Sequence, residues 1–142
     1  MESRFKHLIL LITVLLSVFL ITGCAGKNEK EPDPVAEANS YKQITQQAAY
    51  EIMQKETDFI ILDVRTEEEF AQGHIPDAIN IPNETIGSDK PEQLPDLNQI
   101  ILVYCRSGNR SKQASEKLAA MGYTNILEFG GINTWPYETV KD

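Results

Sequence analysis

The residues best suited to chemistry in this chain surround Cys105. The cysteine ends a run of large apolar residues, Ile100–Tyr104, and a short polar stretch follows it: Arg106, Ser107, Gly108, Asn109 and Arg110. A helical pattern begins at about Arg110, so backbone N–H groups would surround the sulfur and stabilise an anion there. The same setting lowers the pKa of a thiol, and the two arginines add positive charge. The pattern therefore predicts a nucleophilic cysteine that acts on an anionic substrate.

The length of this loop separates two kinds of reaction. Four residues lie between Cys105 and Arg110. Cysteine phosphatases use a loop one residue longer and usually carry a histidine before the cysteine, where this chain has Tyr104. The shorter loop suits a sulfur atom or a sulfonate better than a phosphate ester, so sulfur transfer is favoured. The alternative without chemistry is a buried, inert cysteine, because free cysteines are commonly core residues.

Alternating strand and helix patterns must position this loop. Apolar runs predict strands at Tyr41–Ile44, Phe59–Val64, Ala78–Ile81, Ile100–Tyr104 and Asn125–Phe129. Helices are predicted after the N-caps Thr45 and Thr66, and from about Arg110 to Met121. Residues 83–99 are predicted to be a loop with at most one short helix, and residues 132–136 a closing turn. This order indicates an α/β fold with a mostly parallel central sheet flanked by helices on both faces.

Composition limits the remaining function classes. A chain of 142 residues allows one domain and a short additional segment. The net charge of -8 argues against nucleic acid as the main partner. The two cysteines, Cys24 and Cys105, are too few for a four-cysteine zinc site or a disulfide-rich scaffold.

The N-terminus has the pattern of a secretion signal. Arg4 and Lys6 precede the segment Leu8–Ile21, which is apolar except for two hydroxyl residues. This segment is shorter than the roughly 20 residues that span a bilayer and suits the apolar region of a signal peptide. The sequence Ile21-Thr22-Gly23-Cys24 resembles the lipobox of bacterial lipoproteins, in which the cysteine is lipidated and the chain is cut before it. An uncleaved anchor with an incidental Cys24 is the alternative.

This resemblance implies three regions. Residues 1–23 are expected to be a lipoprotein signal peptide, and residues 24–40 the lipidated cysteine with a flexible tether rich in charge and proline. Residues 41–142 form the domain. The expected location is extracytoplasmic and lipid-anchored at the cell membrane, on the outer face of the cytoplasmic membrane or in a periplasm.

Four motifs in a fixed order carry a second resemblance, which covers residues 41–142. They are Asp63-Val64-Arg65 with Glu68, Glu69 and Phe70; Gly73-His74-Ile75 leading to Ala78–Pro82; Cys105–Ser111; and Gly130-Gly131-Ile132 with Trp135. Together they resemble a single-domain rhodanese of the thiosulfate sulfurtransferase type. Pro76-Asp77 departs from the commoner turn residues of that family, at a position away from the chemistry.

The resemblance implies a sulfurtransferase that works through a persulfide. Cys105 would take the sulfane sulfur of an anionic donor such as thiosulfate and pass it to cyanide or a thiol, with the loop amides stabilising the anion and Arg106 and Arg110 attracting the donor. The family needs no metal or organic cofactor. The alternatives are a non-enzymatic persulfide carrier that serves a protein acceptor, a small cysteine phosphatase, and an inactive domain used for interactions.

Other polar residues have weaker assignments. Asp63 and Arg65 end the second predicted strand, at the sheet edge where the loop is expected, so they are possible supporting residues. The favoured alternative is a structural ion pair with the Glu67–Glu69 segment, which is otherwise interpreted as a solvated helix start. His74 is expected to be structural, and Trp135 is expected to pack in the core or at its rim.

Overall fold

The computed structural model describes residues 40–141. The predicted signal peptide, Cys24 and nearly all of the predicted tether lie outside the described residues. The strands are β1 (Lys42–Gln43), β2 (Phe59–Asp63), β3 (Ile79–Asn80), β4 (Ile100–Cys105) and β5 (Ile126–Gly131). The helices are α1 (Gln46–Lys55), α2 (Glu67–Ala71) and α3 (Asn109–Ala120), and a 3₁₀ turn (Ile132–Thr134) follows β5. Among these residues no helix is both long enough and apolar enough to cross a bilayer.

The five strands form one sheet in the order β1-β5-β4-β2-β3. Every neighbouring pair is parallel, so the strands all end at the same edge. The predicted α/β fold with a central parallel sheet is confirmed. Because β4 lies in the middle of the sheet, its last residue, Cys105, is placed at the centre of that edge.

Alternation along β4 divides its side chains between the two faces of the sheet. Ile101, Val103 and Cys105 belong to a core that also includes Ala114 and Leu118 of α3. Leu102 and Tyr104 belong to a second core, which includes Ala49 of α1. A strand buried on both faces is expected to be apolar throughout, which explains the continuous run that predicted it.

The helix starts follow the predicted caps. The Thr45 hydroxyl accepts a hydrogen bond from the N–H of Ala48. Thr66 and Glu69 form a reciprocal capping box at the start of α2. The third helix instead begins at Asn109 after Gly108, whose φ of 105° is left-handed and favours glycine.

The remaining differences from the prediction concern the ends of elements. The first and third strands have two residues each rather than four. Residues 83–99 form turns without a helix, although Ile86 and Leu94 are buried in the core on the α3 side. Strand β5 runs on to Gly131 instead of ending at Phe129, and this extension brings its last residues beside the loop after Cys105.

Candidate active site

Cys105 lies where β4 ends, with only 1% of its surface exposed. Its Sγ accepts a hydrogen bond from the N–H of Gly108 at 3.1 Å. The left-handed conformation of Gly108 turns the chain back toward the sulfur before α3 begins. The loop therefore wraps its backbone donors around the thiol, as the spacing of residues predicted.

Hydrogen bonds in this loop favour the thiolate. Burial alone would raise the pKa of the Cys105 thiol. The hydroxyl of Ser111, when its proton turns toward the sulfur, and the N–H groups of Ser111, Ser107 and Gly108 outweigh that effect, so the pKa of Cys105 lies below its ordinary value. The result is a buried thiol at the beginning of a helix whose ionised form is favoured by the loop.

Gly131 of β5 lies directly against the backbone of the loop at Arg106 and Ser107. The N–H of Asn133, two residues further on, donates to the carbonyl oxygen of Arg106 at 3.2 Å. A Cβ added at Gly131 would overlap that carbonyl and the Cα of Ser107. The backbone of Gly131 is extended, with φ of -135°, so glycine is required here by the close approach of the loop and not by backbone strain.

We predict that Gly131→Ala displaces the loop and weakens the thiolate. The new methyl group should push Arg106 outward, raise the pKa of Cys105 and destabilise the fold by about 1–3 kcal/mol. The rate of Cys105 alkylation by iodoacetamide at neutral pH should fall about tenfold. Gly87→Ala is the matched control, because no atom lies within 4 Å of its added Cβ. Equal alkylation profiles for Gly131→Ala and wild type would contradict the close-approach argument.

Arg110 is held by a carboxylate from α2. Its Nη1 and Nη2 donate to Oε2 and Oε1 of Glu69 at 2.7 and 2.8 Å. This hydrogen-bonded pairing lowers the pKa of Glu69 to about 2, with further help from the Thr66 cap. Since the pKa of Glu69 is depressed in the folded state, the pair stabilises the protein above the unfolded carboxyl pKa of about 4.3 and is lost as the pH falls through about 2. The view of Glu67–Glu69 as a solvated helix start is wrong for Glu69.

Asp63 and Arg65 bind each other and not the Glu67–Glu69 segment, so that expectation is also wrong. Arg65 Nη2 lies 2.6 Å from Asp63 Oδ2, and their side chains are only 6% and 0% exposed. The same Nη2 donates to the carbonyl oxygen of Gly73 at 2.7 Å. Through these two contacts Arg65 links the end of β2 to the chain after α2. Asp63 is only two residues from Arg65 in the sequence, and Arg65 binds it instead of the glutamates of α2.

An open cavity of about 490 Å³ lies beside the loop. It is lined by side chains of both charges and by two aromatic rings: Arg106, Arg65, Glu69, Trp135 and Tyr137. Arg106 is exposed, so its guanidinium is available to a ligand there. Ser107 and Asn109 are also exposed, whereas Gly108 between them is buried. Within residues 40–141 no cluster of side chains suited to hold a metal ion is present.

His74 and Trp135 have structural positions. The His74 ring stacks on Phe70 at 3.8 Å between centroids, and its backbone pairs with Val140 near the C-terminus. Trp135 packs against Phe129 of β5, with centroids 5.4 Å apart, and also lines the cavity. The expected packing roles of both residues agree with these contacts.

Two buried polar residues were not singled out by the sequence as parts of the site. Ser111 is fully buried, and its Oγ lies 2.6 Å from Oε1 of Glu128, which is only 3% exposed. Ser111 belongs to the predicted loop motif, and its effect on the pKa of Cys105 links it to the sulfur. Glu128 could have been found as a charged residue placed between apolar neighbours in a strand pattern.

Known proteins match this chain in both sequence and structure. The family model described as a rhodanese-like domain matches residues 45–137. Thiosulfate sulfurtransferase PspE of Escherichia coli is 39% identical over 80 residues, which cover 56% of this chain and 77% of that protein. A sulfurtransferase of Allochromatium vinosum is 42% identical over 79 residues, covering 55% and 72%. The solved structure titled rhodanese with anions from E. coli has a TM-score of 0.54 at 37% identity and covers 58% of this chain and 98% of that one.

Proposed function

Because this chain belongs to the rhodanese-like family and is a rhodanese-type sulfurtransferase, we propose that it transfers sulfane sulfur through a persulfide on Cys105. The donor is thiosulfate or a similar anion, and the acceptor is cyanide or a thiol. The observation that carries the proposal is the buried Sγ of Cys105, which accepts the N–H of Gly108 at 3.1 Å. A thiolate held by backbone donors attacks sulfur without needing a separate base.

The first half-reaction forms the persulfide. The Cys105 thiolate attacks the outer sulfur of thiosulfate, an S–S bond forms, and the bond to the sulfonate sulfur breaks. Sulfite leaves with that electron pair, so one thiolate and one dianion become one persulfide anion and one dianion. The N–H groups that lower the pKa of Cys105 are suited to stabilise the terminal sulfur anion in the same way.

The second half-reaction regenerates the enzyme. Cyanide or a thiolate attacks the terminal sulfur, the Cys105 thiolate departs as the leaving group, and thiocyanate or a new persulfide is released. The cavity beside Arg106 offers room for an acceptor, and its mixed charge and aromatic lining suit a small thiol or a peptide side chain. A protein acceptor would make the chain a carrier in the cell while leaving this chemistry unchanged.

Intact mass and turnover together test the proposal. Purified protein incubated with thiosulfate should gain the mass of one sulfur atom, and subsequent cyanide should release thiocyanate over many cycles. Sulfur gain with a single release would favour the carrier alternative over the enzyme. If thiosulfate and small persulfides both leave the mass unchanged, the persulfide proposal is wrong, and hydrolysis of phosphate esters becomes the next assay.

The pairing of Arg110 with Glu69 leads to a prediction about donor affinity. Because both guanidinium Nη atoms are bound by the carboxylate, much of the positive charge at the end of the loop is neutralised. Glu69→Gln should expose a dianionic donor to more of that charge and lower the KM for thiosulfate by about threefold at low ionic strength. Glu67→Gln in the same helix turn is the control, since Glu67 is exposed. A raised KM in Glu69→Gln would instead make the carboxylate necessary for holding Arg110 in place.

We also propose that the protein is a lipoprotein anchored on the extracytoplasmic side of a cell membrane through Cys24. The support is the order of basic residues, short apolar segment and Ile21-Thr22-Gly23-Cys24 in the sequence. Expression in bacteria with a radiolabelled fatty acid should label the wild type and leave Cys24→Ala unlabelled and in its precursor form. Equal labelling of the two proteins, or none in either, would refute lipidation at this residue.

A further inference from the structure

The carboxylate of Glu128 is buried next to the loop that holds Cys105, in contact with Ser111. Glu128 is 3% exposed in the middle of β5. Its Oε1 accepts the hydroxyl of Ser111 at 2.6 Å and the N–H of Gly130 at 2.9 Å. Burying a carboxylate costs several kcal/mol unless its environment compensates it. The two half-reactions described above do not use Glu128, so its position requires another explanation.

The contact with Ser111 connects this carboxylate to the reactive sulfur. Ser111 Oγ lies 2.9 Å from the carbonyl oxygen of Gly108 and 2.6 Å from Glu128 Oε1. The same hydroxyl lowers the pKa of Cys105 when it donates to the sulfur. A hydroxyl has one proton to donate. The Glu128 carboxylate, the Gly108 carbonyl and the Cys105 thiolate therefore compete for it, and the shortest contact of the hydroxyl is the one to the carboxylate.

We propose that Glu128 is a positioning residue that holds the Ser111 proton away from the sulfur, and so keeps Cys105 less acidic and more nucleophilic than the loop alone would make it. The negative charge of Glu128 lies beside Gly108, the residue whose N–H binds the sulfur, and a like charge there disfavours ionisation of the thiol. This inference rests on the proposed persulfide mechanism for its consequence in catalysis.

The two half-reactions respond to this control in opposite ways. In the first, the Cys105 thiolate is the nucleophile, and its rate of attack increases with its basicity. In the second, the same thiolate is the leaving group, and it departs faster when it is less basic. For thiolates, each unit of pKa changes such rates by about threefold. Glu128 thus favours sulfur uptake and slows sulfur release.

The other charged groups near the sulfur have partners or positions that do not involve Glu128, so a substitution of Glu128 leaves their charges unchanged. Arg110 interacts electrostatically with Cys105 and is itself bound by Glu69. At the end of neighbouring β2, Arg65 and Asp63 neutralise each other. Arg106, the next residue in the chain, is exposed beside the cavity. A change in Cys105 on substitution of Glu128 is therefore assigned to the carboxylate and its hydrogen bond.

The test is the pH profile of Cys105 alkylation in Glu128→Gln. The full-length chain in detergent carries Cys24→Ser, so that Cys105 is the only thiol. The neutral amide binds the Ser111 proton less tightly, and the midpoint of the iodoacetamide profile should move to lower pH. Above both midpoints, persulfide formation from thiosulfate should slow by about two- to threefold, and thiocyanate formation from the preloaded persulfide and cyanide should accelerate by a similar factor.

Matched variants separate this effect from damage to the fold. Glu116→Gln changes an exposed carboxylate of the same helix that carries Ser111 and should leave the profile unchanged. With Ser111→Ala, the shift caused by Glu128→Gln should shrink to the part due to charge alone. Glu128→Asp, which withdraws the carboxylate from Ser111, should move the midpoint in the same direction and serves if Glu128→Gln does not fold.

Several outcomes would overturn the assignment. A midpoint that stays in place or rises in Glu128→Gln, or slowing of both half-reactions, would make Glu128 a structural residue only. A shift of full size in the Ser111→Ala background would remove Ser111 from the connection. Alkylation requires no sulfur transfer, so absence of thiocyanate turnover in the parent protein would count against the proposed function and not against the effect of Glu128 on the thiol.

Discussion

Replacing Cys105 by serine is expected to abolish both sulfur uptake and thiocyanate turnover, reducing the rate by about a thousandfold or more, to background. A serine hydroxyl stays protonated near neutral pH, so the backbone donors that favour the thiolate would surround a neutral group. The size of the substitution is small, and the variant should keep the wild-type loop, melting temperature and circular dichroism spectrum. Mass spectrometry after thiosulfate treatment and a thiocyanate assay measure the two losses separately.

The second cysteine supplies the matched control for this loss. Cys24→Ser should turn over thiosulfate at the same rate as wild-type protein that has not been lipidated, when both are purified in detergent. The pair of variants distinguishes a thiol required for chemistry from one proposed for membrane attachment. Turnover retained in Cys105→Ser would place the sulfur on another group and would remove the central assumption of the mechanism.

Arg65→Ala is expected to lower the free energy of unfolding by about 3–5 kcal/mol. The side chains of Arg65 and Asp63 are 6% and 0% exposed, so the substitution leaves a buried carboxylate without its cation. It also removes the donor to the Gly73 carbonyl. For a domain of about 100 residues this loss lowers the melting temperature by at least 12 °C or so.

Chemical denaturation of Arg65→Ala measures this loss of unfolding free energy. An exposed ion pair in the same protein provides the reference value. Lys55 and Glu51 pair on the surface of α1, with side chains 70% and 51% exposed. Lys55→Ala should therefore cost about 0.5 kcal/mol or less. If both substitutions cost the same, the Asp63–Arg65 pair has no special role in the fold. Arg65→Met, which fills the space but keeps the unpaired carboxylate, should recover little of the lost stability.

Local sequence signals were sufficient to predict the fold and the position of Cys105 between a strand and a helix. The apolar run ending at Tyr104, followed at once by a polar loop with Gly108, defined a strand, a turn and a helix start over a dozen or so residues. Thr45 and Thr66 predicted helix starts because capping depends on neighbours three residues away. The physical causes of these elements are contained within each segment, so they can be recognised without knowing the rest of the structure.

Partners across the fold could not be predicted in the same way. The Glu69–Arg110 contact joins residues 41 positions apart, and the Ser111–Glu128 contact joins residues 17 apart. Three successive acids at the start of α2 do not reveal which one faces the loop. The apolar neighbours of Glu128 in the β5 pattern indicate that it is buried, but they do not reveal that the hydroxyl of Ser111 in α3 binds it. Such contacts depend on how elements pack, and the sequence pattern does not contain that information.

The order of strands has a consequence for how the protein is made. Within residues 40–141 the first strand, β1, pairs with the last, β5, and β5 also completes the pairing of β4. During translation the nascent chain cannot finish its sheet, or place Gly131 under the loop, until β5 has been synthesised. Contacts so distant in sequence slow folding. A product cut short before β5 would leave β4 as an unpaired edge, a state prone to aggregation.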